Sequence, residues 1–154
     1  MNSHGQTSWP FAATINGTIS IGPGLATWFG GDSDPQDDGT TASGVNTKGN
    51  PGLMGCALPM TDCGESATQG SPIPHLDWFQ AVQVTNLDTG SDIGVPLIDI
   101  GPGRSANAHA KSPEECHIID LTIAAFKALG GDVNAGTMRV QVLILDQVGF
   151  HFPH

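Results

Sequence analysis

Hydrophobic and polar positions along this chain alternate in short stretches, and the stretches are separated by glycine, proline and small polar residues. Residues 11–21 alternate weakly, with Ile15, Ile19 and Ile21 between Thr and Asn, which predicts strand structure interrupted at Asn16-Gly17. Gly22-Pro23-Gly24 reads as a turn, and residues 26–30 (ATWFG) as a short strand. From 32 to 74 the periodicity vanishes into a long run rich in Gly, Pro, Ser, Thr, Asn and Asp. Leu53-Met54 and Ala57-Leu58-Pro59 are its apolar anchors. A loop of that length in a compact domain is expected to be functional or held by its own contacts.

Alternation returns at residues 81–86 (AVQVTN). A Leu87-Asp88-Thr89-Gly90 turn and an apolar return segment, 93–100 (IGVPLIDI), complete a β-hairpin. Ser112-Pro113-Glu114-Glu115 predicts a single helical turn. One true helix follows Thr122 as N-cap, with Ala125, Phe126 and Leu129 as its buried stripe and Gly130-Gly131 as its stop. Residues 136–146 predict a last strand, alternating at first and then continuously apolar, as in a strand buried on both faces.

Composition sharpens this picture. Among 154 residues there are 21 Gly and 11 Pro, and only 13% are charged. The residues that clothe long helices are scarce, so one mainly β domain is expected. Five basic against 15 acidic residues give a formal charge of −10, which argues against nucleic acid and against anionic membrane surfaces as partners. No apolar run is long enough to span a bilayer, and residues 1–10 hold no hydrophobic leader core. Cys56 and Cys63 are one candidate disulfide pair, leaving Cys116 free. Other pairings and an all-thiol state stay open.

Six short words occur in a particular order: 26–30 (ATWFG), 41–44 (TASG), 57–59 (ALP), 82–86 (VQVTN), 99–102 (DIGP), and 118–122 (IIDLT) leading into 124–126 (AAF). In this order they resemble the rare-lipoprotein-A-like double-psi β-barrel family, related to expansins, barwins and barrel-type endoglucanases. The resemblance covers roughly residues 25–145. It implies a mainly β, six-stranded double-psi β-barrel with one short α-helix and a long Gly/Pro-rich loop. The barrel would occupy 25–148, between an N-terminal extension (1–24) and a tail (149–154). It further implies a monomer without cofactor, secreted, periplasmic or in the cell envelope, and acting on cell-wall polysaccharide. The polysaccharide would be peptidoglycan, with cellulose or chitin as alternatives. Three activities fall under this heading: a peptidoglycan lytic transglycosylase, a wall-binding or wall-loosening module that cleaves nothing, and an endoglucanase. Fold does not choose among them.

The resemblance puts Asp99 and Asp120 forward as catalytic carboxyls. Asp99 ends an apolar strand beside Gly101, where a carboxyl next to apolar residues can be kept protonated for attack on a glycosidic bond. Its alternative role is to cap the following turn. Asp120 precedes the helix, where it could equally serve the helix dipole. Trp28, Trp78 and Phe79 are candidate sugar platforms, with core packing an equal reading for Trp28. Thr41, Ser43, Gly101 and His117 complete the proposed substrate-binding set. Asp32, Asp34, Asp37 and Asp38 form an acidic loop that could lend a second carboxylate, although its spacing fits no EF-hand. His109, His151 and His154 show no metal-ligand spacing. Two family positions differ: Val45 stands where lytic members carry Glu, and Gly55-Cys56 where they carry Ala-His. His75 or His117 could substitute.

Overall fold

The computed structural model describes residues 12–15, 18–30, 39–59, 63, 77–100, 110 and 112–145. Seven strands appear in it: β1 (Ala12–Ile15), β2 (Thr18–Phe29), β3 (Cys56–Leu58), β4 (Ala81–Asn86), β5 (Asp92–Ile100), β6 (His117–Thr122) and β7 (Met138–Leu145). A 3₁₀ turn spans Pro113–Glu115, and the one α-helix among the described residues, α1, spans Ile123–Ala128. The sheet order is β1-β2-β6-β3-β5-β4-β7, and β7 returns to pair with β2. Six strands therefore close into a mixed β-barrel, and β1 adds to it on β2. Pairs β2/β6 and β3/β5 are parallel; the other neighbours run antiparallel.

Period-two side-chain placement builds the interior. Ile19 and Ile21 of β2, Val82 and Val84 of β4, and Val140, Val142 and Ile144 of β7 are fully buried. Their intervening neighbours Gln83, Arg139 and Leu143 face out. Ala125, Phe126 and Leu129 of the helical segment cap this core as the spacing predicts. Thr122 Oγ1 accepts from the N–H of Ala125 at 3.4 Å and of Gly55 at 3.2 Å, so one hydroxyl both starts the helix and ties it to the segment before β3. At the other end, buried Asn86 donates Nδ2 to the carbonyl of Leu129 at 2.9 Å.

Several expectations change. Gly22-Pro23-Gly24 is not a turn between two strands: it lies inside one 12-residue strand, where the pairing of β2 with β7 shifts between Ile21 and Gly24. A bulge in a long strand uses the same residues as a turn. A Cβ on Gly24 would come within 2.7 Å of Ile118 Cγ2 and 2.8 Å of the Cys116 carbonyl, so only glycine admits this approach of β2 to β6. The sheet also begins before residue 25, since Ile19 and Ile21 belong to the core. The last strand is not buried on both faces: Leu143 is exposed, and alternation runs the described length of β7. Two strands lay hidden, β3 within the long loop and β6 within the word that leads into the helix.

Among the cysteines, Cys63 and Cys116 form the disulfide. Cys56 is the free one, because β3 turns its side chain into the core between register partners Leu97 and Leu121. Burial pushes its thiol well above the ordinary range, which leaves it protonated and inert.

Candidate functional site

The face of the sheet turned away from the core carries the two acidic side chains on one line. Ala57 of β3 has Asp99 of β5 as its register partner on one side and Asp120 of β6 on the other. Asp120 in turn pairs with Thr27 of β2. The row is thus Asp99, Ala57, Asp120, Thr27, with the two acids separated by one strand whose residue, Ala57, is small and buried. Two inter-strand steps set them about 9–10 Å apart at the backbone. Both are partly exposed.

A bulge puts each acid on this face. In β5, Cys56 is opposite Leu97 but Ala57 is opposite Asp99, so Ile98 is the extra residue. Leu97 and Ile98 are then both buried, and Asp99 is re-aimed to the side of Ala57. In β6 the extra residue is Ile118, for Leu25 pairs with His117 and Ala26 with Ile119. Leu25 and Thr27 share a face of β2, so their partners His117 and Asp120 share one too, about 7 Å apart along the strand. Gly55, just before β3, could not carry a side chain, because a Cβ there would meet Ile98 Cδ1 at 2.5 Å.

Asp99 Oδ1 accepts two backbone N–H bonds, from Ala42 at 3.0 Å and from Ile100 at 2.9 Å. Among the described residues Oδ2 makes no hydrogen bond. The first of those donors belongs to the turn over 41–44, which is also held by the Ser43 N–H on the Ile98 carbonyl at 3.1 Å. Thr41 and Ser43 build that turn. Thr41 Oγ1 donates to the Val45 carbonyl at 2.7 Å and lies 3.1 Å from Ser43 Oγ, and Thr41 is buried. Thr41 therefore shapes the edge of the row from beneath and offers no hydroxyl to a ligand, while Ser43 is half-buried beside it.

Asp120 accepts a short hydrogen bond from Thr27 Oγ1. It lies inside a strand paired on both sides, and Thr122 is the residue that caps the helix, so the helix-dipole role does not describe it. His117 is half-buried, and desolvation holds its pKa below the usual imidazole value; it is neutral near pH 7.

The aromatic candidates divide. Trp28 pairs with Leu121, packs against the core and donates its indole N–H to the Val133 carbonyl at 3.2 Å. Of the two readings the sequence leaves open for Trp28, its half-buried indole fits core packing. Trp78 and Phe79 are 40% and 58% exposed, and Ile100, which follows Asp99 in the chain, is exposed as well. The Phe79 N–H bonds to the Leu97 carbonyl at 2.8 Å, which fixes this pair against the bulged end of β5. Phe79 holds a positive φ of 67°, a conformation costly for a bulky residue and found where surroundings impose it. Gly101, His75 and the carboxylates of Asp32, Asp34, Asp37 and Asp38 lie outside the described residues.

Beyond Asp120 the row opens into a cleft of about 290 Å³, lined by Phe29, Gly30, Thr47, Asn50, Pro51, Leu53, Thr122, Ile123, Ala124 and Lys127. Thr27, Phe29, Ala57 and Lys127 went unmarked in the sequence. Thr27 and Phe29 were within reach of period-two reasoning, because an inward Trp28 forces both its neighbours outward. Ala57 and Lys127 carried no signal, as their place depends on which strands pair.

No protein-family model matches the chain, and no curated protein does. Among solved structures 13 chains match. One is Streptomyces papain inhibitor, 20% identical, aligned over 81% of this chain and 92% of that one at a TM-score of 0.48.

Proposed function

We propose that this chain is a cell-wall polysaccharide-active barrel, in which a glycan strand lies along the row from Trp78 and Phe79 across Asp99, Ala57 and Asp120 to Thr27. The observation that carries the reading is the register itself: two partly exposed carboxylates on one face with only the small, buried Ala57 between them, together with the exposed rings of Trp78 and Phe79 on the segment that bonds to β5. Flat side chains complement the apolar faces of sugars.

The chemistry proposed is that of a lytic transglycosylase. One carboxylic acid gives its proton to the glycosidic oxygen as the bond from that oxygen to the anomeric carbon breaks. The resulting carboxylate takes a proton from a hydroxyl of the same sugar, whose oxygen closes onto the anomeric carbon, and the acid is regenerated. Asp99 is assigned this role, with Oδ1 held by two N–H groups and Oδ2 without a hydrogen bond among the described residues, and Asp120 assists. The Cys63–Cys116 disulfide supports an oxidising location such as the periplasm or cell exterior.

A second reading, a glycan-binding module that cleaves nothing, is favoured by a different observation. Asp99 Oδ1 is engaged by Ala42 and Ile100 as a turn-holding carboxylate would be. Val45 and the buried Cys56 also stand where lytic relatives have polar residues. Digestion of purified peptidoglycan sacculi, followed by mass spectrometry, separates the two. The lytic reading predicts anhydro-ended fragments from the native chain and a loss of at least about 100-fold in Asp99→Asn. Fragment release by that variant at the native rate removes Asp99 from the chemistry, and sedimentation with sacculi without any fragments supports the binding module.

A further inference from the structure

We propose that the cleft between β2, α1 and residues 47–53 is a binding site for a small uncharged carbonyl compound, its apolar body between the walls and its oxygen on Thr122; nothing in this site requires the row to hold a glycan. Phe29 and Thr122, register partners at the ends of β2 and β6, set an aromatic ring beside a hydroxyl. Pro51, Leu53, Ile123 and Ala124 complete the apolar lining. The volume of about 290 Å³ is at the small end for ligand sites, and an apolar cavity of about 150 Å³ already takes benzene.

Thr122 specifies the oxygen. Its side chain belongs to a residue only 4% exposed, and Oγ1 accepts from the N–H of Gly55 and of Ala125, which occupies both lone pairs. The hydroxyl hydrogen is the polar group left over, and among the described residues it meets no acceptor. A buried donor in that state is costly, and a ligand oxygen in the cleft that Thr122 lines removes the cost. The acceptor that fits is neutral. The buried lining residues Gly30, Thr47 and Thr122 carry no charge, and Lys127 is exposed. A carboxylate against these walls would lose more hydration than one hydroxyl returns.

Acetophenone and α-methylstyrene, in which a methylene replaces the carbonyl oxygen, test this by amide NMR titration of the whole chain. The native chain should bind acetophenone about two- to tenfold more tightly, the range of one hydrogen bond, with shifts gathered on Phe29, Leu53, Thr122 and Ala124. Thr122→Val, which keeps the shape of the side chain, should bring the two constants together, and Thr122→Ser should keep them apart. Ala124→Leu, which fills the cleft and leaves the Thr122 cap in place, should abolish binding of both. If loss of the cap unfolds Thr122→Val, the two ligands on the native chain and Ala124→Leu still decide. Equal constants on the native chain, or a preference that survives Thr122→Val, overturn the role of the hydroxyl and with it the proposed ligand class. Shifts outside the cleft, no shifts with either compound, or unchanged binding by Ala124→Leu overturn the site itself.

Discussion

His117 and Asp120 stand on one face of β6, and their charges respond to pH in different ways. Burial lowers the His117 pKa, so as pH falls the unfolded chain takes up a proton at this residue before the folded chain does. More protons bound in the unfolded state means that stability rises with pH. The contribution of neutral His117 is therefore whole above the ordinary imidazole value of about 6.5 and is lost as pH falls below it. Urea unfolding at pH 7.5 and 5.5 should show a smaller fall in midpoint for His117→Asn than for the native chain. Equal falls would contradict this assignment. Both acids of the row could be picked out of the sequence by the words they sit in. Thr27 sits in one of these words too, but only the inward turn of its neighbour Trp28 marks it as facing outward.

Strands β3 and β6 pair although they lie far apart in sequence, and the disulfide fastens the segments that flank them. It links Cys63, shortly after β3, to Cys116, immediately before β6, across a separation of 53 residues. Loop-closure entropy for such a span corresponds to about 4 kcal/mol of stability. Guanidinium unfolding of Cys63→Ser/Cys116→Ser should show a loss of about 2–4 kcal/mol, whereas Cys56→Ala should respond as a core truncation that is indifferent to reductant. A double variant as stable as the native chain would argue against the pairing. The hairpin β4/β5, the helix and its Thr122 cap were legible because each is a local pattern. Strand β3 was not, since three residues (Cys56-Ala57-Leu58) cannot display a period, and its stability comes from neighbours on both sides. In β6 the bulge at Ile118 breaks the alternation that would have revealed a strand.

At the scale of the whole molecule, closing the sheet from β7 onto β2 is what turns separate strand ends into one surface. The row from Asp99 to Thr27 crosses β5, β3, β6 and β2, drawn from residues 27 to 120 of the chain. Its order was unreadable in the sequence because parallel pairing of β2 with β6, and of β3 with β5, is decided by tertiary packing and not by local propensity. The barrel itself was legible through the order of six short words. The central claim is that this one face of the barrel holds a glycan, and a backbone-amide NMR titration with solubilised, uncrosslinked peptidoglycan glycan strands tests it most directly. The account predicts shifts gathered on Thr27, Ala42, Ala57, Trp78, Asp99 and Asp120, with Gln83, Arg139 and Leu143 unmoved. Shifts gathered on Gln83, Arg139 and Leu143 instead, or no shifts at saturating glycan, would contradict it.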